Sequence, residues 1–142
     1  MGKGKVENQR NTEDLKKKIN QNIVDKVEIK EQWREIIGTK GFYQISNLGK
    51  VKSFINSRQR KKTIGQILKP FFNTKGYPCV SLFKKHYRIH RLVAEHFIDK
   101  IEGKNQVNHI DGDKKNNRIE NLEWVTNQEN VKHYFELKKQ GR

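Results

Sequence analysis

The stretch VNHIDGDKKNNRIENLEWVTNQENV, residues Val107–Val131, specifies the fold of the last third of the chain. Its first four residues are typical of a short strand, and the Asp-Gly and Asn-Asn pairs that follow are typical of turns. Leu122 and Trp124 alternate with a glutamate, as in a strand with one buried face. Thr126 and Glu129 have the spacing of a capping box, which predicts that a helix begins here. The predicted order is strand, long polar loop, strand and helix.

The predicted helix is expected to continue to about Lys139 and to pack back over the two strands. We expect this packing to hide the side chains of Trp124, Val131 and Phe135, because a helix buries its apolar side. The same packing carries Asn130, in the first turn of the helix, towards the preceding strand.

That strand bears Asn108 and His109, so the prediction brings a histidine beside two carboxamides in a basic protein. This combination is suited to metal-assisted hydrolysis of a phosphodiester. A hard divalent ion takes oxygen ligands, here from Asn108, Asn130 and the phosphate itself, and it neutralises charge on the transition state and the leaving oxygen. The imidazole has a reference pKa of about 6.5 and can remove a proton from the attacking water near neutral pH.

The composition indicates a polyanionic partner. The 142 residues include 31 Lys and Arg against 16 Asp and Glu, a formal net charge of +15, which favours nucleic acid or, less often, an anionic membrane surface. No apolar run is long enough for a membrane span, and the polar start is not a secretory signal. Cys79 is the single cysteine, which excludes a disulfide framework and a multi-cysteine zinc site. We therefore expect an intracellular protein without zinc.

The positive charge is concentrated between Glu35 and Glu95, a stretch with no acidic residue. Such a block suits a surface that lies along phosphates, because a carboxylate there would be repelled. Gln44, Ser46 and Ser53, on predicted middle strands, are candidates for reading bases. The predicted DNA-binding residues are Arg58, Arg60, Lys61, Lys62, Lys84, Lys85, Arg88 and Arg91.

The rest of the chain is predicted to form short strands and helices. The first eleven residues are expected to be disordered, and a narrow apolar stripe predicts a short helix from Thr12. Strands are predicted at residues 42–46, 50–54, 64–69, 77–83 and 87–90, the last two as a hairpin with a cationic tip. A short helix is predicted from His90 to Phe97, where the apolar period becomes helical. The fold class is thus α+β, with small antiparallel β-hairpins and short helices.

The stretch from Val107 to Val131, preceded by IHRLVAEHF at residues 89–97, resembles the phage-type H-N-H homing and nicking endonucleases. Upstream, WREIIGTKGFYQISNLGKVKSF, from Trp33 to Phe54, resembles the small nuclease-associated module that usually precedes this domain. The resemblance implies a ββα-metal motif at the end of the chain. It divides the chain into a flexible or helical basic segment at 1–30, a DNA-binding module at 31–70 and a nuclease domain at 71–142, with the ββα core at 105–139.

The resemblance also implies roles for individual residues. His109 takes the position of the general base, and Asn130 takes the metal-ligand position on the helix. Asn121 is the central Asn of the motif, which chiefly fixes the loop between the strands. Asn108 matches the second metal-ligand position, where related enzymes often have Asp, so we expect the ion to be held less tightly. Asp111 is a secondary candidate, for which a structural role in the Asp-Gly turn is favoured.

The remaining histidines and tryptophans are expected to have structural or no roles. His90 shares a helical face with apolar residues, so packing is favoured over catalysis, and it is kept as a secondary candidate. Trp33 and Trp124 are expected in the core. No group of potential partners surrounds the other three histidines, which are His86, His96 and His133.

The predicted function is a DNA endonuclease that depends on Mg²⁺ or Mn²⁺ and acts on double-stranded DNA. The resemblance implies a phage-encoded protein of the bacterial cytoplasm whose products carry a 5′-phosphate and a 3′-hydroxyl. One active site cuts one strand, so a monomer is expected to nick and a double-strand break would need a dimer. Two alternatives are also compatible with the sequence: a catalytically silent DNA-binding protein with the same fold and a small basic RNA-binding protein.

Overall fold

The computed structural model describes residues 29–56, 58–59 and 61–141, except for the side chains of Lys61 and Lys62. The helix predicted from Thr12 lies outside these residues. The chain divides after Lys30, and the described elements belong to the compact unit that begins at Glu31. In chain order they are β1 (Trp33–Glu35), β2 (Tyr43–Ser46), β3 (Val51–Asn56), β4 (Lys61–Ile67), β5 (Phe71–Phe72), β6 (Pro78–Leu82), β7 (Lys85–Arg88), α1 (Ile89–Phe97), β8 (Gln106–His109), β9 (Leu122–Val125) and α2 (Asn127–Lys139).

The strands form three small antiparallel sheets, in the orders β1-β2-β3-β4, β5-β6-β7 and β8-β9. The predicted α+β class with small hairpins is therefore confirmed. Neither helix in the described part of the chain is long and apolar enough to cross a membrane.

The first sheet contains both strands predicted around the Asn-Leu-Gly turn, and β1 is added at its edge. Gly49 closes the turn with a φ of +83°, a conformation that favours glycine. Trp33, which was predicted to lie in the core, is only half-buried, and the Lys52 ammonium lies 3.9 Å from the centroid of its ring. The prediction for Trp33 is wrong because β1 is an edge strand with one neighbour and mostly exposed side chains.

The second sheet contains the predicted hairpin, which turns at Phe83 and Lys84. Both residues have positive φ, 47° and 67°, in a two-residue connection that usually contains glycine or asparagine. The Phe83 ring meets the Tyr43 ring edge-on, with centroids 5.1 Å apart. This contact joins the hairpin to the first sheet.

Helix α1 is the centre of the core. Its apolar residues Ile89, Leu92, Val93 and Ala94 are all buried, and the helix contacts β2, β6, β8 and β9. It therefore packs against all three sheets, although it is only nine residues long. The hydrophobic core is continuous from the first sheet to Trp124 on β9.

Helix α2 begins as predicted but packs through the other face. The Thr126 Oγ1 accepts a hydrogen bond from the Glu129 backbone at 3.1 Å, whereas the Glu129 side chain binds the Lys104 ammonium at 3.1 Å instead of closing the capping box. Val131 and Phe135 are 48% and 58% exposed, so the prediction that α2 hides them is wrong.

The inward face of α2 carries Asn130, His133 and Leu137, of which Leu137 packs on the close-fitting Gly112. Trp124 is nonetheless buried, because it is covered from the side of α1. Its indole nitrogen donates to the carbonyl of Ile98 at 3.2 Å.

Candidate active site

A cavity of about 100 Å³ lies where β8, α2 and the loop after β8 meet. Asn108, His109 and Asn130 all line it, and the predicted convergence of one imidazole and two carboxamides is thus present. The other lining residues are Tyr77, Val107, Gly112, Lys114, His133, Tyr134 and Leu137.

His109 is buried, with 5% of its surface exposed, and its orientation is set by Asn117. The His109 Nε2 lies 2.7 Å from the Asn117 Oδ1. An amide oxygen can only accept, so Nε2 carries the hydrogen and Nδ1 keeps the lone pair of a base. Burial lowers the pKa of His109, and the hydrogen bond to Asn117 offsets part of this effect. The imidazole is therefore biased towards its neutral form.

The sequence pattern predicts only a turn at Asn117. In the structure the residue is buried and contacts the first sheet. A Cβ atom added to Gly49 would lie 2.9 Å from the Asn117 Cβ. Two residues further on, the Ile119 backbone donates to the Asn47 carbonyl at 2.9 Å. The turn between β2 and β3 thus supports the loop that orients His109.

Asn121 does not line the cavity but fixes the loop between β8 and β9. Its Nδ2 donates to Asp111 Oδ1 and to the Asn116 carbonyl, both at 2.9 Å, and its Oδ1 accepts from the Asp111 backbone at 3.0 Å. Partial burial raises the pKa of Asp111, but the hydrogen bonds it accepts outweigh this and keep its pKa below the ordinary value. Both oxygens of Asp111 are bound within the loop.

The two carboxamides at the cavity each donate their Nδ2 to a neighbour outside it. Asn108 Nδ2 donates to Glu123 Oε1 at 2.9 Å, and Asn130 Nδ2 donates to Gln106 Oε1 at 2.8 Å. Within the described residues, neither Oδ1 accepts a hydrogen bond. No cluster of three His, Cys, Asp or Glu side chains suited to a metal occurs in the described part of the chain. The donors available at the cavity are therefore amide oxygens, which fit a hard divalent ion without a carboxylate ligand.

His90 packs beside His109, with ring centroids 4.9 Å apart, and beside Tyr77 at the same distance. It is 4% exposed, and its Nδ1 has no hydrogen-bond partner among the described residues. Burial, with smaller effects of His109, Arg88 and Arg91, lowers the pKa of His90 to about 3. His90 is therefore a neutral part of the wall behind His109.

The predicted DNA-binding residues differ in their surroundings. Arg58, Lys84, Lys85 and Arg88 are exposed. Arg91 is engaged within the protein, where it donates to the Asn105 carbonyl at 3.0 Å and pairs with Glu95 at 3.5 Å. Arg60 and the side chains of Lys61 and Lys62 lie outside the described residues.

Two of the base-reading candidates are unsuitable, and two cavity residues were missed. Ser46 and Ser53 are buried, and each uses its hydroxyl in a hydrogen bond to nearby backbone. Lys114 and His133 line the cavity, although His133 was expected to have no role. The signal for His133 was its spacing of three residues from Asn130, which places both on one helical face.

Comparisons with known proteins give two adjoining matches. Residues 87–132 match the family HNH endonuclease, and residues 31–83 match the NUMOD4 motif. The chain is 40% identical over 104 residues to the DNA endonuclease I-HmuI of Bacillus phage SP01, covering 70% of this chain and 55% of that protein. It is 45% identical over 112 residues to the uncharacterized HNH endonuclease L247 of Acanthamoeba polyphaga mimivirus, covering 72% of this chain and 26% of that protein.

Among solved structures, the chain matches a structure of the HNH homing endonuclease I-HmuI that concerns DNA binding and cleavage. The TM-score is 0.62 and the identity 38%, over 75% of this chain and 59% of that one. The chain thus spans little more than half of I-HmuI and about a quarter of the mimivirus relative. On these grounds the chain carries an HNH endonuclease domain preceded by a NUMOD4 motif, and it is homologous to the phage HNH homing endonuclease I-HmuI.

Proposed function

We propose that this protein is a divalent-metal-dependent endonuclease that hydrolyses phosphodiester bonds of double-stranded DNA. The observation that carries the proposal is the cavity shared by Asn108, His109 and Asn130 in a chain homologous to a DNA endonuclease. Mg²⁺ is the expected ion, with Mn²⁺ as a substitute. A monomer would nick one strand, and cleavage of both strands would require a second copy.

In this mechanism His109 acts as the general base. Its Nδ1 accepts a proton from the attacking water. The Asn117 oxygen, which accepts the Nε2 hydrogen bond, stabilises the positive charge that then forms on the ring. Asn117 keeps the ring from rotating, so the lone pair stays directed away from the loop. Asn121 acts indirectly, since it holds the loop from which Asn117 extends.

Asn108 and Asn130 would hold the ion through their Oδ1 atoms. When bound, such an ion neutralises charge that develops on the phosphate and on the leaving oxygen. Lys114 lines the same cavity, where its ammonium donates to the Lys75 carbonyl at 2.7 Å and lies 4.8 Å from the Tyr77 ring centroid, so its positive charge is held beside the site. Two neutral amides hold a cation less tightly than carboxylates, so we expect the DNA phosphate to contribute to retention of the ion.

The exposed basic side chains would supply the contacts to the DNA phosphates. Arg58, Lys84, Lys85 and Arg88 are exposed and can meet phosphates, and contacts of this kind position a protein without selecting a sequence. The homology to a DNA endonuclease favours DNA over RNA as the partner. The catalytically silent alternative requires that Asn108 leave the ion too weakly held for activity.

Nicking of a supercoiled plasmid, with and without Mg²⁺ or Mn²⁺, tests the proposal. We expect metal-dependent relaxation that His109→Ala abolishes while the variant still retards DNA on a gel. His86→Ala, an exposed histidine away from the cavity, is the matched control and should nick like the unaltered protein. Undiminished nicking by His109→Ala would contradict the mechanism, and inactivity with every divalent ion would favour the silent binder.

A further inference from the structure

The two carboxamides at the cavity can bind a cation in only one of their two orientations, whereas a carboxylate can bind it in either. A carboxylate offers oxygen on both sides, whereas an Asn side chain offers oxygen on one side and an NH₂ group on the other. Only the oxygen can bind a cation. A site built from Asn108 and Asn130 therefore needs groups outside the cavity that fix which end of each amide faces inward.

Glu123 is placed to do this for Asn108. The two residues are direct cross-strand partners of β9 and β8, and Glu123 Oε1 accepts from Asn108 Nδ2 at 2.9 Å. An ionised carboxylate has no hydrogen to donate, so only the NH₂ end of the amide can face it. The Asn108 oxygen is thereby turned away from Glu123.

The charge of Glu123 is also available to Asn108. Glu123 is exposed, and within the described residues it makes no ion pair with a lysine or arginine. A hydrogen bond to an ionised acceptor is stronger than a neutral one and polarises the donor group. An amide that donates to a carboxylate is thus a better oxygen ligand than an amide facing water.

Gln106 has the corresponding place beside Asn130, without the charge. Its Oε1 accepts from Asn130 Nδ2 at 2.8 Å, and its own Nε2 donates to Asn127 Oδ1 at 3.1 Å. This short chain of amides starts in the first turn of α2 and returns to it. Both cavity carboxamides are therefore oriented by a residue of the β8-β9 hairpin.

We propose that Glu123 is a positioning residue for the divalent ion, which locks Asn108 with its oxygen towards the cavity and supplies the negative charge that Asn108 lacks. Gln106 orients Asn130 in the same way. The proposal rests on the proposed function, because it concerns the ion that the endonuclease reaction would use. It differs from a purely structural role in predicting a change in metal requirement at unchanged DNA binding.

The test compares Glu123→Leu, which removes the acceptor for Asn108 Nδ2, with Glu120→Leu in the full chain. Both variants remove one exposed carboxylate, but Glu120 pairs with Arg118 and does not contact Asn108. Two quantities are measured for each variant: Mn²⁺ binding to the protein–DNA complex, from the loss of the free Mn²⁺ paramagnetic resonance signal, and the Mg²⁺ concentration for half-maximal nicking. Removal of a group that orients a metal ligand typically weakens the metal about 10- to 100-fold. We expect a shift of at least about 10-fold for Glu123→Leu and less than about 2-fold for Glu120→Leu.

DNA retention on a gel and the melting temperature should be unchanged in both variants. Equal metal requirements of the two variants would overturn the proposal, as would a loss of nicking by Glu123→Leu without any change in Mn²⁺ binding. If the unaltered protein neither nicks nor binds Mn²⁺ on DNA, the proposed function itself fails, and this outcome is distinct from a failure of Glu123 alone.

In the Asn108→Asp variant, removal of Glu123 is expected to have the opposite effect on the metal requirement. Asn108→Asp offers oxygen on both sides, so Glu123 is no longer needed for orientation and instead repels the new carboxylate. Adding Glu123→Leu to Asn108→Asp should therefore leave the metal requirement unchanged or lower it. A further 10-fold loss in this background would show that Glu123 acts through the fold and not through the orientation of Asn108.

Gln106 offers an independent check. Gln106→Glu keeps an acceptor for Asn130 Nδ2, whereas Gln106→Leu removes it. We expect Gln106→Glu to retain Mn²⁺ binding within about 2-fold and Gln106→Leu to weaken it by about 10-fold. Equal binding by these two variants would contradict the role assigned to Gln106.

Discussion

The orientation of single side chains decides which of their atoms face this cavity. His109 has one nitrogen bound to Asn117 and one directed elsewhere, and the partner alone decides which nitrogen is the base. The same holds for the carboxamides, where Glu123 and Gln106 fix the orientation.

The pH dependence of nicking should follow the environment of His109. Its pKa is lowered by burial, so the neutral base persists below pH 6.5, and activity should fall only at more acidic pH. Asn117→Asp places a carboxylate beside the ring, which favours the imidazolium and raises its pKa. We expect the acidic limb of the pH–rate profile, measured at saturating metal, to move upward by about one pH unit. A profile that does not move would show that Asn117 does not contact the general base.

The sequence predicted His109, Asn108 and Asn130 as a group but not their partners. Strand and helix periodicity bring the three residues to one cavity, and this depends only on the order of the elements. Asn117, by contrast, is one of two adjacent asparagines in a turn, and Asn116 binds Asp111 instead. Which of two neighbouring amides reaches His109 depends on the course of the loop, and spacing alone does not determine that.

At the scale of elements, the hairpin of β6 and β7 has an unusual turn. Phe83 and Lys84 both adopt positive φ, which costs a residue other than glycine or asparagine about 1 kcal/mol. Phe83 compensates by its contact with Tyr43, but the exposed Lys84 has no comparable contact among the described residues.

Lys84→Gly should therefore stabilise the protein by about 1 kcal/mol while weakening DNA binding. The stabilisation follows from relief of the backbone, and the weaker binding follows from loss of one phosphate contact. Urea unfolding and gel retardation measure the two effects separately. Lys85→Ala, on the regular strand β7, is the control and should weaken DNA binding without any gain in stability. A destabilised Lys84→Gly would mean that the side chain makes a contact that offsets the backbone cost.

The elements themselves were largely predictable, with two kinds of exception. The edge strands β1 and β5 were missed because strands of three and two residues leave no periodic pattern. The packing face of α2 was wrong because its more apolar stripe, with Val131 and Phe135, is the exposed one. The inward face carries Asn130 and His133, so the side that faces the cavity is more polar than the side that faces solvent.

At the scale of the whole molecule, one short helix packs against the three small sheets of the described residues. His90 lies in that helix, and its Nδ1 has no hydrogen-bond partner within the same residues. Its pKa of about 3 in the folded protein lies below the value of about 6.5 in an unfolded chain. The unfolded state therefore binds a proton that the folded state does not, and stability is lost as the pH falls from about 6.5 towards 3.

The expected loss of stability is at most about 1.4 kcal/mol per pH unit from this residue. His90→Leu should make the decline shallower and leave stability at pH 7 unchanged or raised, because the orphaned nitrogen is removed. The measurement is the free energy of urea unfolding at several pH values between 7.5 and 4.5. His86→Ala, at an exposed site, should keep the slope of the unaltered protein. An identical slope in His90→Leu would assign the acid sensitivity to other groups.

The concentration of basic residues before Glu95 predicts that DNA binding weakens steeply with salt. Each phosphate contact releases counterions, and the logarithm of the affinity falls by about 0.9 per contact for each tenfold rise in salt. Fluorescence anisotropy with a labelled duplex, measured between about 50 and 300 mM NaCl, gives the slope. A nearly flat response would contradict phosphate contacts by the basic residues. Charge of this kind is visible in composition, and for this reason the partner class was predictable without a fold.

The close approach of Gly49 to Asn117 has a consequence for how such a protein can be recombined. The turn that carries Gly49 belongs to the part matching NUMOD4, while Asn117 belongs to the part matching HNH endonuclease. A chimera that attached the HNH-matching part to an unrelated upstream domain would lack the turn that packs against Asn117. Such a chimera must therefore either carry residues 47–49 along with the HNH-matching part or supply another small turn of the same shape.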